Sequence, residues 1–136
     1  MNFQNLVYMM RMRGLQIPRL YTLNMVRHHN RGSSGETWKH YLCKCVCAKI
    51  LYDSNHEYLT EYEFKNKVVA DVFDLTTWTA IEFETTAGPK KESVKLASYV
   101  TLTAHHTIRD VIVIDISKLP DDWAGIERAL RKRLGL

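Results

Sequence analysis

The stretch Arg109-Asp-Val-Ile-Val-Ile-Asp-Ile116 constrains the fold more than any other part of the chain. Its near-continuous β-branched run leaves no polar face to turn toward water, so it predicts a buried strand. Strands of that kind are usually parallel to a neighbour, and a parallel partner is reached through a crossover connection, most often a helix. Pro120 ends the run. Asp121 or Asp122 then caps a helix whose buried stripe is Trp123, Ile126, Ala129, Leu130 and Leu134.

The parallel partner is sought upstream, in Val68-Val-Ala-Asp-Val-Phe-Asp-Leu75 and Ala80-Ile-Glu-Phe-Glu-Thr-Thr86. These read as two strands joined by Thr76-Thr-Trp-Thr79. Glu57-Tyr-Leu-Thr-Glu-Tyr-Glu-Phe64 alternates loosely and adds a third strand, with Glu57, Glu61 and Glu63 on one face and Tyr58, Tyr62 and Phe64 on the other. Lys65-Asn-Lys67 is the turn between them. Glu61 and Glu63 are expected on a solvated face and Asp74 in a turn. Gly88-Pro89 breaks the third strand of this meander. A helix is expected from Lys90 to about Thr103, with Val94, Leu96, Ala97, Val100 and Leu102 as its apolar positions.

Before the meander, Ser34 or Gly35 can cap a helix from Glu36 to about Tyr52. Trp38, Tyr41, Cys45, Ala48 and Tyr52 recur at helical spacing and predict its apolar stripe, leaving His40, Lys44 and Lys49 on other faces. Glu36 falls in the first turn, where the helix dipole favours a carboxylate. The glycine-bearing polar run His28 to Gly35 is a loop, Leu20 to Val26 fits strand or helix, and residues 2–13 fit a short helix stopped by Gly14. The order is helix, three antiparallel strands, helix, strand, helix. It predicts an α/β protein, a three-layer α/β/α sandwich with a mixed central sheet. Residues 1–35 are set apart as a basic N-terminal segment and 36–136 as the domain.

A chain of 136 residues is most simply one domain with a real core. Cys43, Cys45 and Cys47 alternate, so on a helix they point in different directions and do not converge on one metal. They suit buried or half-buried thiols in a reduced compartment. No apolar run is long enough to cross a bilayer, and Met1 to Met10 lacks the basic start of a signal peptide, so a cytoplasmic protein is the expectation. The formal charge is +4, and its distribution says more than its size. Arg11, Arg13, Arg19, Arg27, Arg31, Lys39, Lys44 and Lys49 are met only by Glu36 and Asp53 in the first 55 residues. Lys90, Lys91 and Lys95 follow the acidic hairpin, and Arg128, Arg131, Lys132 and Arg133 end the chain. An acidic cluster within a basic chain suits a polyanion whose chemistry uses a metal.

Asp71 on one strand and Glu82 and Glu84 on the next, set among Val, Ile and Phe, carry that cluster. Buried carboxylates are costly without a partner, and hard oxygen donors with open positions suit Mg2+ or Mn2+. Glu82 and Glu84 share one strand face, and Asp71 lies within cross-strand reach.

The order of elements, with these acids in Val-Ala-Asp-Val-Phe and Ala-Ile-Glu-Phe-Glu, resembles the PD-(D/E)xK nuclease superfamily of restriction endonucleases, RecB-type nucleases and archaeal Holliday junction resolvases. The resemblance runs from about Glu36 to the last helix. It implies a restriction-endonuclease-like domain in which Asp71 and Glu82 match the two acidic positions, and Glu84 stands where the family usually has lysine. Glu36 matches a helix glutamate of the resolvase branch, and Lys91 or Lys95 on the following helix would take the place of the missing lysine. The implied function is metal-dependent hydrolysis of DNA phosphodiester bonds, on branched or junction DNA in the resolvase case, with a homodimer expected. The alternative is a catalytically inactive DNA-binding or scaffold module on the same fold. Arg27, His28, His29, Arg31, Lys39 and Lys90 are the candidate nucleic-acid contacts, joined by Arg128 to Arg133.

Overall fold

The structure, a computed structural model, describes residues 3–17, 37–85 and 89–136. Helices α1 (Phe3–Met12) and α2 (Trp38–Asp53) precede strands β1 (Tyr58–Glu63), β2 (Val69–Asp74) and β3 (Thr79–Glu84). Helices α3 (Pro89–Ser98) and α4 (Val100–Ala104) lead to strand β4 (Asp110–Asp115), and a 3-10 turn (Ile116–Lys118) leads to helix α5 (Trp123–Leu134). The sheet is open and mixed, in the order β1-β2-β3-β4. The first two pairings are antiparallel and β3–β4 is parallel. The β-branched run is thus a parallel strand entered by a helical crossover, and it lies at the sheet edge, with Val111 and Ile112 only half-buried.

Two hydrophobic cores form on the sheet. In one, Cys43, Val46, Cys47, Ile50 and Leu51 of α2 and Ile126 and Leu130 of α5 pack against Val72, Ile81, Phe83 and Ile114. In the other, Leu6 and Met10 of α1 and Tyr99 and Leu102 of the crossover helices pack with Leu59, Tyr62, Phe73, Trp78 and Ala80. Cys43 and Cys47 are buried, Cys45 is half-buried, and all three are free, as the sequence suggests. Desolvation pushes the Cys43 thiol up to about 11 and the Cys47 thiol higher still, so neither is a ready nucleophile.

Four expectations need correction. Thr37 is the N-cap of α2, its hydroxyl accepting from the His40 amide at 3.1 Å. The cap expected from the sequence is Ser34 or Gly35, and Glu36, expected in the first turn, lies outside the described residues. Of the apolar stripe expected on α2 only Ala48 is buried: Tyr41 and Cys45 are half-buried and Trp38 and Tyr52 are each 72% exposed, while His40 and Lys44 turn to the sheet. Five aliphatic and thiol side chains one position away fill the core in its place, so shape and volume outweigh the aromatic periodicity.

The crossover is also two helices, not one, broken at Tyr99. Its inward face is Lys95, Tyr99 and Leu102, spaced i, i+4, i+7, and it leaves Val94, Leu96 and Val100 exposed. Fourth, Tyr58 packs with the α2–α5 core while Tyr62 and Phe64 join the opposite one, so β1 does not keep one alternation throughout.

Turn chemistry holds the hairpin's closed end. The Asp74 carboxylate accepts from the Thr76 amide (2.9 Å) and the Thr77 hydroxyl (2.8 Å) and lies 2.8 Å from His56 Nδ1. Asp74 is a turn residue, as expected, although a buried one.

The α2 assignment is checked by unfolding in urea. Ile50→Ala, at a fully buried position, lowers stability by about 2–5 kcal/mol through lost contact and a residual cavity. Tyr52→Ala, two residues away and exposed, changes it by about 0.5 kcal/mol or less. The reverse order would place the aromatic face inside.

Candidate active site

The site lies where the strands leave regular pairing. Strands β2 and β3 pair at Asp74–Thr79, Phe73–Ala80 and Val72–Ile81, and no Asp71–Glu82 pair continues the ladder. Beyond that point the link is made by a side chain: the Asp71 carboxylate accepts from the Phe83 amide at 2.8 Å. On the other side β1 and β2 pair through Thr60–Val72 and again at Tyr62–Ala70, skipping the level of Glu61 and Asp71. Glu61 has a left-handed backbone (φ 52°), a conformation costly for a residue with a side chain. Leu59 and Tyr62 consequently share a core, as do Phe73 and Ala70, which strict alternation forbids.

The two acids at this irregular level meet helix α2. Lys44, with no exposed surface, donates to Glu61, and His40, one turn earlier, reaches Asp71. His40 Nε2 is 3.3 Å from Asp71 Oδ2 and 2.8 Å from the Phe83 carbonyl oxygen. Both neighbours are acceptors, so Nε2 carries the hydrogen. Glu61 is thus not on the solvated face expected for it, whereas Glu63 is exposed and pairs with Lys67 at 2.9 Å.

From the other face of the sheet come Glu82 and Glu84. Glu82 is 1% exposed, accepts a hydrogen bond from the Tyr99 hydroxyl, and has Lys95 Nζ 3.5 Å from its other carboxylate oxygen. The same ammonium is 3.3 Å from Glu84. Burial, and then the nearby charge of Asp71, push the Glu82 carboxyl up to about 8; Tyr99 and Lys95 only partly offset this. Asp71 goes the other way. Burial raises it, but the hydrogen bond from His40, the His40 charge, the Phe83 amide and Lys44 together hold it below the usual carboxylate range. Lys95 is stabilised as a cation, since Glu82 and Glu84 outweigh its own desolvation. The pair thus consists of one ionised acid and one that keeps a proton near neutrality.

Of the sequence candidates, Asp71, Glu82, Glu84 and Lys95 come together. Glu36, Arg27, His28, His29 and Arg31, and the side chains of Lys90 and Lys91, lie outside what is described. Lys39 lies on α2 away from the acids, donating to the Leu119 carbonyl oxygen (2.6 Å) and Asp121 (2.8 Å). His40, Lys44, Glu61 and Tyr99 are the site residues that sequence reasoning missed. The available signals were His40 and Lys44 at i, i+4 on one face of α2 and the same spacing between Lys95 and Tyr99.

Among the described residues no group of three or more His, Cys, Asp or Glu side chains is gathered tightly enough to enclose a metal ion. Glu82, however, is pushed toward protonation by burial and then by the nearby charge of Asp71. Mg2+ is commonly held by one or two carboxylates, with water and substrate phosphate filling the octahedron. Asp71 and Glu82 fit that donor set, while Glu84 is tied to Lys95.

The raised Glu82 pKa makes stability depend on pH with a definite sign. The buried neutral carboxyl contributes fully below its ordinary value of 4.5, and the contribution is lost as pH rises through about 8. Thermal melts should therefore show the wild type losing stability relative to Glu82→Gln between pH 5 and pH 9. Parallel curves would mean that the carboxyl is ionised throughout.

Compared with known proteins, the chain matches no protein-family model, no curated protein and no solved structure.

Proposed function

We propose that the protein is a Mg2+- or Mn2+-dependent deoxyribonuclease with a restriction-endonuclease-like α/β/α domain, acting on phosphodiester bonds of DNA. The observation that carries this reading is the meeting of Asp71 and Glu82 at the open end of the β2–β3 hairpin, with Lys95 beside them. A buried carboxylate pair with opposed pKa shifts and an adjacent cation is an expensive arrangement for a purely structural role.

In this reading Asp71 and Glu82 hold the metal, and each has a support that fixes its orientation: the Phe83 amide and His40 for Asp71, the Tyr99 hydroxyl for Glu82. A bound divalent ion supplies a low-pKa water and neutralises charge on the scissile phosphate. Lys95 places a positive charge at the same spot and stabilises the phosphate as charge builds on its oxygens. Glu84 holds Lys95 from its far side and orients the attacking water. Lys90 and Lys91 add charge at the head of α3, and Glu36 adds an acid ahead of α2. Arg27, His28, His29, Arg31 and Lys39, with the basic α5, follow the nucleic-acid backbone, which makes affinity fall as salt rises. Cleavage of both strands of a duplex or junction requires two such sites and hence a homodimer. Among the described residues no helix is long and apolar enough to cross a membrane, and a membrane partner has no part in this proposal.

A second reading has one specific observation in its favour. Lys95 is shared between two carboxylates, so its charge is already balanced before any phosphate arrives. That suits a DNA-binding or scaffold module that keeps the fold without cleaving.

Plasmid and four-way-junction substrates incubated with Mn2+ separate the two. Nicking by wild type that drops at least about a hundredfold in Glu82→Ala and in Lys95→Ala supports the enzyme. Equal residual nicking in all three proteins removes it. DNA binding without calorimetric uptake of Mg2+ or Mn2+ favours the module.

A further inference from the structure

A pocket of about 330 Å3 opens at the edge of the sheet, between the end of β4 and helix α5. Its floor is apolar, made by Val113, Leu119, Ala129 and Leu130, and two cations, Lys118 and Arg133, stand at its rim. Among the described residues β4 has no strand beyond it, and the small side chain of Ala129 on α5 lines the pocket.

The cations are not arranged to serve the fold. Arg131, one helical position pair away, is spent on Asp53 and Glu127, and Lys39 on Asp121 and the Leu119 carbonyl oxygen. Among the described residues Lys118 and Arg133 form no ion pair. One carboxylate, Asp115, also lines the pocket. Its Oδ1 is occupied by the Ser117 amide (2.9 Å) and hydroxyl (2.6 Å), which, with Lys118 and Lys39 nearby, hold it below the usual carboxylate range. The formal charge of the lining is therefore +1 with Asp115 ionised, and the acid faces the turn it caps.

Both cations also sit on rigid supports. Lys118 ends a 3-10 turn fixed at one end by Asp115 and at the other by Leu119, whose amide donates to Ile116 and whose carbonyl receives Lys39. Arg133 lies in the last turn of α5, which is anchored by Ile126 and Leu130 and closed by Gly135 in the left-handed conformation. Preorganised donors above an apolar floor of this size are the usual make-up of a small-molecule site, and the carboxyl ends of parallel strands are where α/β sheets commonly place one.

We propose that this pocket binds a small amphipathic anion: an apolar, ring-sized body on the Val113–Leu130 floor and one sulfonate, phosphate or carboxylate head between Lys118 and Arg133. The body selects against bare inorganic anions, and the net positive lining selects against neutral and cationic ligands. This site does not depend on the nuclease reading: Val113 pairs with Glu82 in the β3–β4 ladder, but the cations that define the pocket, Lys118 and Arg133, form no ion pair with Asp71, Glu82 or Glu84.

The test uses the whole chain and 8-anilinonaphthalene-1-sulfonate, an apolar double-ring body with a single sulfonate head. Saturable fluorescence enhancement at one site is expected with the folded wild type. The double variant Lys118→Glu/Arg133→Glu should weaken it by about tenfold or more, the scale of losing charge-assisted hydrogen bonds. Ala129→Met, which fills the floor, should abolish it, and inorganic phosphate at equal concentration should not compete. The charge-reversal variant acts at exposed positions and keeps its fold, so a failure of Ala129→Met to fold leaves the test decisive. No saturable binding, or equal binding by wild type and the charge-reversed protein, would overturn the proposal.

Discussion

The carboxylate of Asp71 is the contact on which the rest of this structure turns. A carboxylate in so little water is stable only if hydrogen-bond donors replace its hydration. Here they are the Phe83 amide, from the neighbouring strand, and the His40 ring, from the helix above. The first closes the β2–β3 hairpin at the level where backbone pairing stops. The second fixes the rotation of α2 about its axis, and with it the set of side chains, Cys43 to Leu51, that reaches the core. Burial, and then the charge of Asp71 beside it, keep Glu82 from ionising, and Tyr99 and Lys95 bond to it. A single buried charge thus couples two strands, the helix on one face and the crossover on the other.

The same level of the sheet shows why α2 carries polar residues inside. His40 and Lys44 are one turn apart and each meets one acid of the irregular level, Asp71 on β2 and Glu61 on β1. Removing Glu61 would leave Lys44 buried with its strand partner gone, which costs more than the pair contributes when intact. Replacing both with apolar residues would cost little, so the pair is better explained by register than by stability. A one-residue slip of β1 against β2 would put Tyr62 against the wrong core and strip Lys44 of its acid. The left-handed conformation of Glu61 is accepted because those contacts hold it there.

Element order was legible in the sequence because it depends on strong local signals. The β-branched run of Val111 to Ile114, the stop at Pro120 and a cap at Asp121 or Asp122 each stand on a short-range preference, and they indicated a parallel strand in a mixed sheet without naming β3 as its partner. Asp71, Glu82 and Lys95 were legible as a group because charges amid apolar strand residues require partners. What was lost was lost to tertiary packing. Trp38 and Tyr52 recur at helical spacing as well as any core stripe does, yet a single thiol-and-aliphatic surface rotated from theirs fits the sheet more closely. Tyr99 went unseen because its value lies in a hydroxyl that meets Glu82 seventeen residues upstream, a contact no window on the chain contains.

The position of Lys95 sets what this site is able to do. A lysine on the strand in place of Glu84 would have only Glu82 and Asp71 to answer to. Placed on α3 instead, the ammonium is held by Glu82 on one side and by Glu84 on the other, each beyond 3 Å. Glu84 then serves the lysine more directly than it serves Asp71, and the acid in the unexpected place and the lysine on the unexpected element are two parts of one rearrangement. Positive charge arriving beside Asp71 and Glu82 would weaken the hold of Glu82 on Lys95 and leave Glu84 to retain it. The ammonium would stay at the site with part of its charge uncompensated, which is the state in which it attracts a phosphate. A site built this way is anionic at rest, and a bound divalent ion would cancel that charge, so its affinity for a polyanion and its occupancy by a divalent ion should rise together.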